Sequence, residues 1–303
     1  MYNGLEGEVR GLNTVKEYAY AKVNLYLDVV GRRPDGFHDI KTVMQSVALA
    51  DVLTVSESAA PAPSVALTLK GNARLPTDTQ NLAVKAAYAY MKHAGLSRRI
   101  HITLDKKIPI GAGLGGGSSD AAATLRAMNR LFGKMLSERV LLELAASIGS
   151  DVPFCLLGGT ALCEGRGERV MRLSLPRALY FVIGSSGEHI STPTAYAALD
   201  GIYSFFDGSV PFGKTHLCDA LSRFLKDDGD LPTLYNIFEE AILPECPSAA
   251  AIREKLLTLG AISALMSGSG PSVFGIFEDE ISAKNAADAL NALGYRATFA
   301  KSV

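Results

Sequence analysis

A glycine-rich run followed by two serines, between Pro109 and Ala122, is the segment whose residue types are best suited to chemistry. It reads PIGAGLGGGSSDAA and leads into an alanine-rich stretch. Glycine lets consecutive backbone N–H groups turn toward one point, and a following helix N-terminus adds unpaired N–H groups and a positive dipole end. Ser118 and Ser119 could cap that helix, bind a phosphate oxygen or hold Mg²⁺. The segment predicts a phosphate-binding loop, with a plain glycine turn before a capped helix as the alternative.

Two familiar phosphate loops fit this segment poorly. Gly111, Gly113 and Gly116 satisfy the dinucleotide pattern G-x-G-x-x-G, but that fingerprint directly follows a buried parallel strand. Here the preceding run RIHITL alternates like a half-buried strand and is separated from the glycines by DKKIPI. No second strand ends in an acidic residue about 20 positions on, and a Walker A loop needs a lysine after its last glycine. The residues therefore indicate a phosphate loop of another kind.

A lysine and an aspartate elsewhere in the chain have two possible interpretations each. Lys22 lies in the otherwise apolar run A-K-V-N, where an inward-facing lysine needs an anionic partner, although a solvent-facing lysine on an edge strand is the ordinary explanation. Asp151, in S-D-V-P, is placed like a helix N-cap. From the residues alone, capping is the favoured interpretation of Asp151.

The elements that must position these residues fall into two groups. Residues 18–30 and 40–56 and the runs SVALTL and RIHITL predict strands, mostly antiparallel. Helices are predicted over NLAVKAAYAYMKHAG, SSDAAATLRAMNRLFG with Ser118 or Ser119 as cap, and SERVLLELAASIG with Ser137 as cap. After about residue 175 the order is strand ALYFVIG, helix SAAAIREKLLTLG, strands AISALM and PSVFGIF, helix ISAKNAADALNALG and strand YRATFA. We expect two α+β lobes, residues 1–175 and 176–303, with a less regular stretch at 200–232.

The composition limits the class of protein. The chain has 303 residues, 48% of them hydrophobic and 20% charged, which suits a globular protein with a large core. A formal net charge of −1 provides no global field for nucleic acid or anionic lipid. No run reaches the roughly 18 apolar residues of a membrane span. Four cysteines without C-x-x-C spacing indicate reduced thiols, so we expect a soluble, cytoplasmic protein without nucleic-acid or membrane partners.

Four ordered segments resemble the motifs of the GHMP kinases, which include galactokinase, homoserine kinase, mevalonate kinase and phosphomevalonate kinase. The glycine loop resembles their second motif, P-x-x-x-G-L-G-S-S-A-A. The segments AKVNLYLDVVGRRPDGFHDI, IGSDVPFCLLGGTA and LMSGSGPSVFGIF resemble the first, central and third motifs. The forms G-L-G-G-G-S-S-D-A-A and G-R-R-P-D-G-F-H are similar to the branch that phosphorylates a cytidine-diphosphate-linked sugar alcohol in non-mevalonate isoprenoid synthesis. The resemblance runs from about residue 18 to residue 300.

This resemblance implies a fold, a reaction and a catalytic pair. The fold would be two-lobed, with an N-terminal lobe rich in antiparallel strands and a ferredoxin-like C-terminal α+β lobe. The reaction would be ATP-dependent phosphorylation of a hydroxyl group, with Mg²⁺ as cofactor. Lys22 and Asp151 occupy the family's catalytic positions, which reverses the capping interpretation: Asp151 would accept the hydroxyl proton, and Lys22 would keep that carboxylate ionised.

The resemblance also implies the binding residues. Asn24, Phe37, His38 and Tyr196 would contact the substrate, and Phe37 stands where the family usually has tyrosine. Ser118 would contact the metal, and Gly268, Ser269 and Gly270 would close over the site. The ATP side would comprise Asn81, Leu82, Lys106, Pro109, Gly111, Gly113, Leu114, Gly115, Gly116, Gly117, Ser118, Ser119 and Asp120. One alternative is a GHMP kinase that acts on homoserine or mevalonate. Another is a catalytically inactive family member that serves as a binding or regulatory module, and the presence of Lys22 and Asp151 disfavours this second alternative.

Overall fold

The computed structural model describes residues 14–185, 187–203, 215–227 and 230–303. Residues 1–13 of the expected N-terminal lobe and part of the 200–232 stretch lie outside them. Within these ranges the chain forms two sheets with helices packed on them. The strands are β1 (Thr14–Arg32), β2 (His38–Ala59), β3 (Ser64–Lys70), β4 (Arg98–Asp105), β5 (Thr160–Gly165), β6 (Arg169–Leu173), β7 (Tyr180–Ser185), β8 (Tyr235–Asn236), β9 (Ser263–Met266), β10 (Val273–Phe277) and β11 (Arg296–Lys301).

The helices mostly begin and end where capping residues predict. Asn81 caps α1 by accepting from Ala83 N at 3.0 Å, and Gly95 ends it in the left-handed conformation at φ 64°. Ser137 caps α3 by accepting from Val140 N. The helices are α1 (Leu82–Ala94), α2 (Gly116–Leu131), α3 (Glu138–Ile148), α4 (Val152–Leu157), α5 (Thr192–Ile202), α6 (Thr215–Asp227), α7 (Phe238–Ile242), α8 (Pro247–Thr258) and α9 (Glu280–Ala292), with a 3₁₀ turn at Leu243–Glu245.

The first sheet has the order β3-β4-β2-β1-β8, with β5 paired to β2 and β6 paired to β5. Its long strands β1 and β2 run antiparallel from the Thr14–Ser56 pair to the Arg32–His38 pair. The register shifts between Asn24 and Tyr26, next to Lys22, and such irregularities re-aim side chains. Strands β3 and β4 are parallel, whereas the other pairings among β1 to β6 are antiparallel, as expected of a lobe rich in antiparallel strands. The β3–β4 pair is parallel because α1 lies between these two strands in sequence and provides the crossover that parallel neighbours need.

The second sheet has the order β11-β7-β10-β9, and all of its pairings are antiparallel. With α8 before β9 and α9 before β11, this is the ferredoxin-like arrangement, so the expected α+β fold is confirmed. The expected irregular stretch at 200–232 needs correction, because α6 occupies residues 215–227 within it.

The two sheets share contacts. Just beyond β11 of the second sheet, Ser302 pairs with Val47 of β2, and Val303 N donates to Ser46 O at 3.0 Å. One cluster of fully buried side chains contains Val23 from the first sheet together with Phe181 and Phe274 from the second. Side chains of the two sheets therefore pack in one shared core.

The four cysteines are buried free thiols. Of the helices described, none is both long enough and apolar enough to cross a lipid bilayer.

Candidate active site

A cavity of about 840 Å³ lies where the glycine loop, the first sheet and the second sheet meet. Almost every predicted site residue lines it, from the first motif to the third. Ser119 and Gly270 are the exceptions among the predicted residues. The predicted residues on its wall are Lys22, Asn24, Phe37, His38, Asn81, Leu82, Lys106, Pro109, Gly111, Gly113, Leu114, Gly115, Gly116, Gly117, Ser118, Asp120, Asp151, Tyr196, Gly268 and Ser269.

Lys22 points inward from β1 and is 4% exposed. Its Nζ lies 3.6 Å from Asp151 Oδ2 and donates to Asn24 Oδ1 at 2.7 Å. Asn24 Nδ2 donates to Thr42 Oγ1 at 2.8 Å, which fixes the Asn24 amide against β2. The ammonium group is thus held by a carboxylate and an amide, as a buried lysine requires. The edge-strand interpretation of Lys22 is wrong.

Asp151 stands at the N-cap position of α4, but its side chain makes no capping hydrogen bond. Capping residues normally have extended backbone geometry, whereas Asp151 has φ −84° and ψ −11°. This helical geometry leaves the carboxylate, which lines the cavity, beside Lys22. Capping, which the residues alone favoured, is therefore not what the Asp151 side chain does.

Two glycines of the loop have conformations and surroundings that exclude other residues. Gly113 has φ 76°, and a Cβ there would lie 2.0 Å from the Ser267 carbonyl oxygen. Gly115 has φ 69°, and a Cβ there would lie 2.8 Å from Lys22 Cγ. Left-handed backbone is costly for residues with a Cβ. The loop is therefore packed between Lys22 and the third motif.

Helix α2 begins inside the glycine run rather than after the serines. Its N-cap is Gly115, so the expected cap at Ser118 or Ser119 is wrong. Both serines lie in the first turns, and the Ser119 hydroxyl donates to Tyr20 O and lies 3.3 Å from Cys155 Sγ. That contact ties α2 to β1 and turns Ser119 away from the cavity, whereas Ser118 remains on its wall.

Behind the loop, Lys106 joins two carboxylates that are almost fully buried. Its Nζ donates to Asp51 Oδ2 and, at 2.8 Å, to Asp120 Oδ2. Asp51 is fully buried and also accepts from Lys107 N at 2.5 Å and Ile108 N at 2.8 Å. Asp51 therefore fixes the segment that leads into the glycine loop, a role that its position in β2 does not reveal in the sequence.

Asp120 is the less satisfied of these two carboxylates. Burial raises its pKa to about 7, a shift that the Lys106 ammonium opposes and the Asp51 carboxylate reinforces. Its Oδ1 has no hydrogen-bond partner among the described residues, although the side chain lines the cavity. A buried oxygen of this kind is suited to a ligand or an ion.

On the opposite side, an aromatic and histidine cluster forms the wall. His38 Nε2 lies 2.7 Å from Asp200 Oδ1, and the His38 ring stacks on Tyr196 with centroids 4.6 Å apart. Tyr196 also packs edge-on against Phe238 at 4.9 Å. Burial, reinforced by the charge of Asp151, raises the pKa of Tyr196. One face of Tyr196, which was expected to stack on a base, contacts His38 here.

Phe37 is 52% exposed, and Arg166 covers its ring, with Cζ 4.9 Å from the centroid. The sequence did not single out Arg166 or Asp200. Both reach the cavity through tertiary pairing rather than through a motif.

The third motif is hydrogen-bonded to the glycine loop on one side and to β8 on the other. Ser267 Oγ donates to Gly113 O at 3.0 Å, and Asn236 Nδ2 donates to Gly268 O at 2.8 Å. A Cβ on Gly268 would lie 3.1 Å from Lys22 Nζ. Gly270 instead packs against Met266, where a Cβ would lie 2.4 Å from Sδ. The motif therefore forms the wall beside Lys22.

Sequence comparisons with known proteins identify the family to which the chain is similar. The GHMP kinase N-terminal domain model matches residues 81–159, and the GHMP kinase C-terminal model matches residues 219–296. A protein of Gloeobacter violaceus named 4-diphosphocytidyl-2-C-methyl-D-erythritol kinase is 40% identical over 90% of this chain and 89% of its own length. A protein of the same name from Caldicellulosiruptor saccharolyticus is 39% identical over 90% of this chain and 91% of its own length.

Solved structures extend the comparison to the fold. A crystal structure of 4-(cytidine 5'-diphospho)-2C-methyl-D-erythritol kinase superposes with a TM-score of 0.77 at 35% identity, covering 95% of this chain and 99% of that one. Homoserine kinase from Cytophaga hutchinsonii has the same TM-score at 22% identity, covering 100% of this chain and 97% of its own, and shows the fold alone. Together with the domain matches and the 40% identity, these similarities show that the chain belongs to the GHMP kinase family.

Proposed function

We propose that the protein transfers the γ-phosphoryl group of ATP to a hydroxyl of 4-diphosphocytidyl-2-C-methyl-D-erythritol, giving the 2-phosphate and ADP, in non-mevalonate isoprenoid precursor synthesis. The observation that carries the proposal is the Lys22–Asp151 pair, which lines one cavity together with a glycine loop and an aromatic–histidine wall. Kinases of that name at about 40% identity support the choice of substrate.

In the mechanism, Asp151 accepts the proton of the substrate hydroxyl as that oxygen attacks the γ-phosphorus. Lys22, 3.6 Å away, holds the carboxylate in place and neutralises charge that develops on the transferred group. Both polar ends of the Asn24 amide are already bonded, to Lys22 and Thr42. We therefore assign Asn24 the positioning of the lysine, ahead of the direct substrate contact that the sequence suggested.

The ATP side is assigned to the glycine loop and its neighbours. Helix α2 begins at Gly116, on the cavity wall. The backbone N–H groups of a helix N-terminus are suited to bind phosphates. Asn81 and Leu82, at the start of α1, and Pro109 line the same wall and are assigned to the adenine end. Lys106 is assigned there through its backbone, because its ammonium group is bonded to Asp51 and Asp120.

The residues present also fit Mg²⁺. Ser118 and Asp120 both line the cavity, and Asp120 Oδ1 has no hydrogen-bond partner among the described residues. Hydroxyl and carboxylate oxygens are ligands that Mg²⁺ accepts, usually together with substrate phosphates. We assign Ser118 and Asp120 to the ion, which when bound with ATP neutralises phosphate charge.

The substrate side is assigned to Phe37, His38 and Tyr196. Phe37 presents an exposed ring at the cavity wall, and His38 and Tyr196 form the stacked pair beside it. This wall suits a planar base, whereas homoserine and mevalonate have none. The G-R-R-P-D-G-F-H loop is therefore the feature that favours the cytidine-linked alcohol over these two alternatives.

Three further assignments belong to the proposal. Residues 1–175 would bind ATP and residues 176–303 would close the substrate side, since β6 ends at Leu173 and β7 begins at Tyr180. We propose a cytoplasmic protein with a small-molecule substrate and no nucleic-acid or membrane partner. A net charge of −1 and four free thiols are consistent with that setting.

The test is ³¹P nuclear magnetic resonance of a reaction with ATP, Mg²⁺ and the cytidine-linked alcohol. The proposal predicts ADP formation with a new phosphomonoester signal, while the diphosphate signals of the alcohol persist. ATP consumption without that signal, or no consumption, would contradict it.

A further inference from the structure

The turn between β5 and β6, residues 165–168, brings an arginine to the substrate side of the cavity. Strands β2 and β5 are antiparallel, with Ile40 opposite Gly165. Residues just after Gly165 therefore lie beside residues just before Ile40, which include Phe37. A Cβ on Gly167 would lie 3.6 Å from Asp151 Oδ1, so the same turn also borders the proposed base. Arg166 is thus placed between the aromatic wall and the reaction centre.

The side chain of Arg166 has an unusual set of contacts for a cation. Its Cζ lies 4.9 Å from the centroid of the Phe37 ring. The nearest acidic side chain in its turn, Glu168, accepts from the Arg166 backbone N at 2.7 Å. No carboxylate oxygen lies within 4.0 Å of the guanidinium nitrogens among the described residues. The guanidinium therefore lies over the Phe37 ring without an ion pair.

The other basic groups on the cavity wall already have partners. Lys22 is paired with Asp151 and Lys106 with Asp51 and Asp120. His38 contacts Asp200, and His189 Nδ1 lies 3.0 Å from Gly111 O. Within the described part of the wall, Arg166 therefore supplies a positive charge without an ion pair of its own. The Asp35 carboxylate, whose charge interacts with Arg166, is paired with Arg33 Nε at 3.1 Å. A second anion besides ATP has this group available to it.

We propose that Arg166 binds the diphosphate of the cytidine-linked substrate while its guanidinium remains over the Phe37 ring. The inference rests on the proposed function, which places a diphosphate next to a base on this wall. Guanidinium donors lie in the plane of the group, so stacking on a ring leaves them free to form paired hydrogen bonds with phosphate oxygens. One stacked unit would then recognise the base through Phe37 and the diphosphate through Arg166.

The structural alternative is that Arg166 only covers the Phe37 ring. The two roles differ in what is lost when the charge is removed. If Arg166 only orients the Phe37 ring, removing its charge should weaken the binding of every ligand that carries cytosine. If Arg166 contacts the diphosphate, the same change should weaken the binding only of ligands that carry phosphates.

The experiment compares cytidine 5'-diphosphate with cytidine as inhibitors competing with the substrate, in wild type, Arg166→Met and Arg166→Lys. We expect the inhibition constant of the diphosphate to rise about 10-fold to 100-fold in Arg166→Met, since hydrogen bonds to charged groups are worth about 1.5–3 kcal/mol. The constant for cytidine and the KM for ATP should stay within about twofold, and Arg166→Lys should recover part of the loss. Arg169→Met, in the same hairpin but outside the cavity wall, is the matched control and should behave as wild type.

The outcomes separate this inference from the function on which it rests. A wild type that phosphorylates the cytidine-linked alcohol, with an Arg166→Met variant that binds the diphosphate normally, overturns the inference alone. Parallel losses for cytidine and its diphosphate assign Arg166 to covering Phe37 and also overturn it. A wild type that neither phosphorylates the alcohol nor binds the diphosphate overturns the proposed function, and the inference with it.

Discussion

Lys22 Nζ lies 3.6 Å from Asp151 Oδ2 across the junction between a long strand and the first turn of a short helix. The aliphatic part of the lysine also borders the glycine loop, where a Cβ on Gly115 would lie 2.8 Å from Lys22 Cγ. The proposed proton acceptor, its neighbouring cation and the proposed phosphate-binding loop are thereby held in one arrangement. Phosphoryl transfer depends mainly on this kind of positioning and charge neutralisation.

Asp151→Asn separates catalysis from structure. Asparagine is nearly isosteric but cannot accept the substrate's proton, so kcat should fall by about 10²–10⁴. Because the Asp151 side chain makes no capping bond, the melting temperature should stay within about 3 °C of wild type. Single-turnover kinetics and a thermal melt provide the two measurements.

Lys22→Met is the companion variant. It should impair the same step, and the double variant should lose less than the product of the two single losses, because the groups act as a unit. Near-normal turnover in Asp151→Asn would remove Asp151 as the base. A large drop in melting temperature with proportionate loss of activity would assign it a structural role instead.

Gly116→Val tests the phosphate loop. A Cβ at Gly116 would lie 3.1 Å from both Lys106 Nζ and Ile108 Cγ2, so valine must displace the Lys106 cluster or intrude into the ATP side. ATP affinity, measured by calorimetry, should fall at least about tenfold, the effect of losing about 1.4 kcal/mol. Gly201→Ala, where the added Cβ has nothing within 4 Å, is the control. Unchanged ATP affinity in Gly116→Val would refute the loop assignment.

Gly113→Ala tests the contact between the loop and the third motif. The new Cβ would lie 2.0 Å from the Ser267 carbonyl oxygen at a backbone φ of 76°. Backbone must move, so the free energy of unfolding in urea should fall by about 1–3 kcal/mol and the KM for ATP should rise. Wild-type stability together with wild-type KM would mean that the loop does not depend on this contact.

Phe37→Ala tests the base-binding wall. Removing an aromatic stacking face should weaken substrate binding by about 1–3 kcal/mol. The KM for the cytidine-linked alcohol should rise while the KM for ATP stays the same. Phe37→Tyr keeps the ring and should retain a KM near that of wild type. An unchanged substrate KM in Phe37→Ala would exclude Phe37 from the pocket.

Helix-capping residues and hydrophobic periodicity predicted much of the fold, because several elements follow these local signals. Asn81 and Gly95 mark both ends of α1, and the order of elements after residue 175 gives the second sheet. The start of helix α2 was predicted wrongly, because its N-cap is Gly115, in the left-handed conformation, and not one of the serines that follow. The parallel direction of the β3–β4 pair was not predicted, although the intervening α1 is the signal for such a crossover.

The site was predictable only where a motif carries it. Lys22 and Asp151 could be located through family motifs, whereas residue physics alone favoured capping for Asp151. Asp51 and Arg166 could not be located, because their roles depend on partners brought near by strand register and tertiary packing. Asp51 accepts three hydrogen bonds in the structure, but nothing in the sequence distinguishes it from any other aspartate in a strand.

The most direct test of the account is kcat/KM for three alcohols under identical ATP and Mg²⁺ conditions: 4-diphosphocytidyl-2-C-methyl-D-erythritol, mevalonate and homoserine. We predict that the cytidine-linked alcohol exceeds the other two by at least about 10³-fold, since neither of them can use the stacking and diphosphate contacts. Comparable or greater kcat/KM for mevalonate or homoserine would contradict the assignment of the substrate.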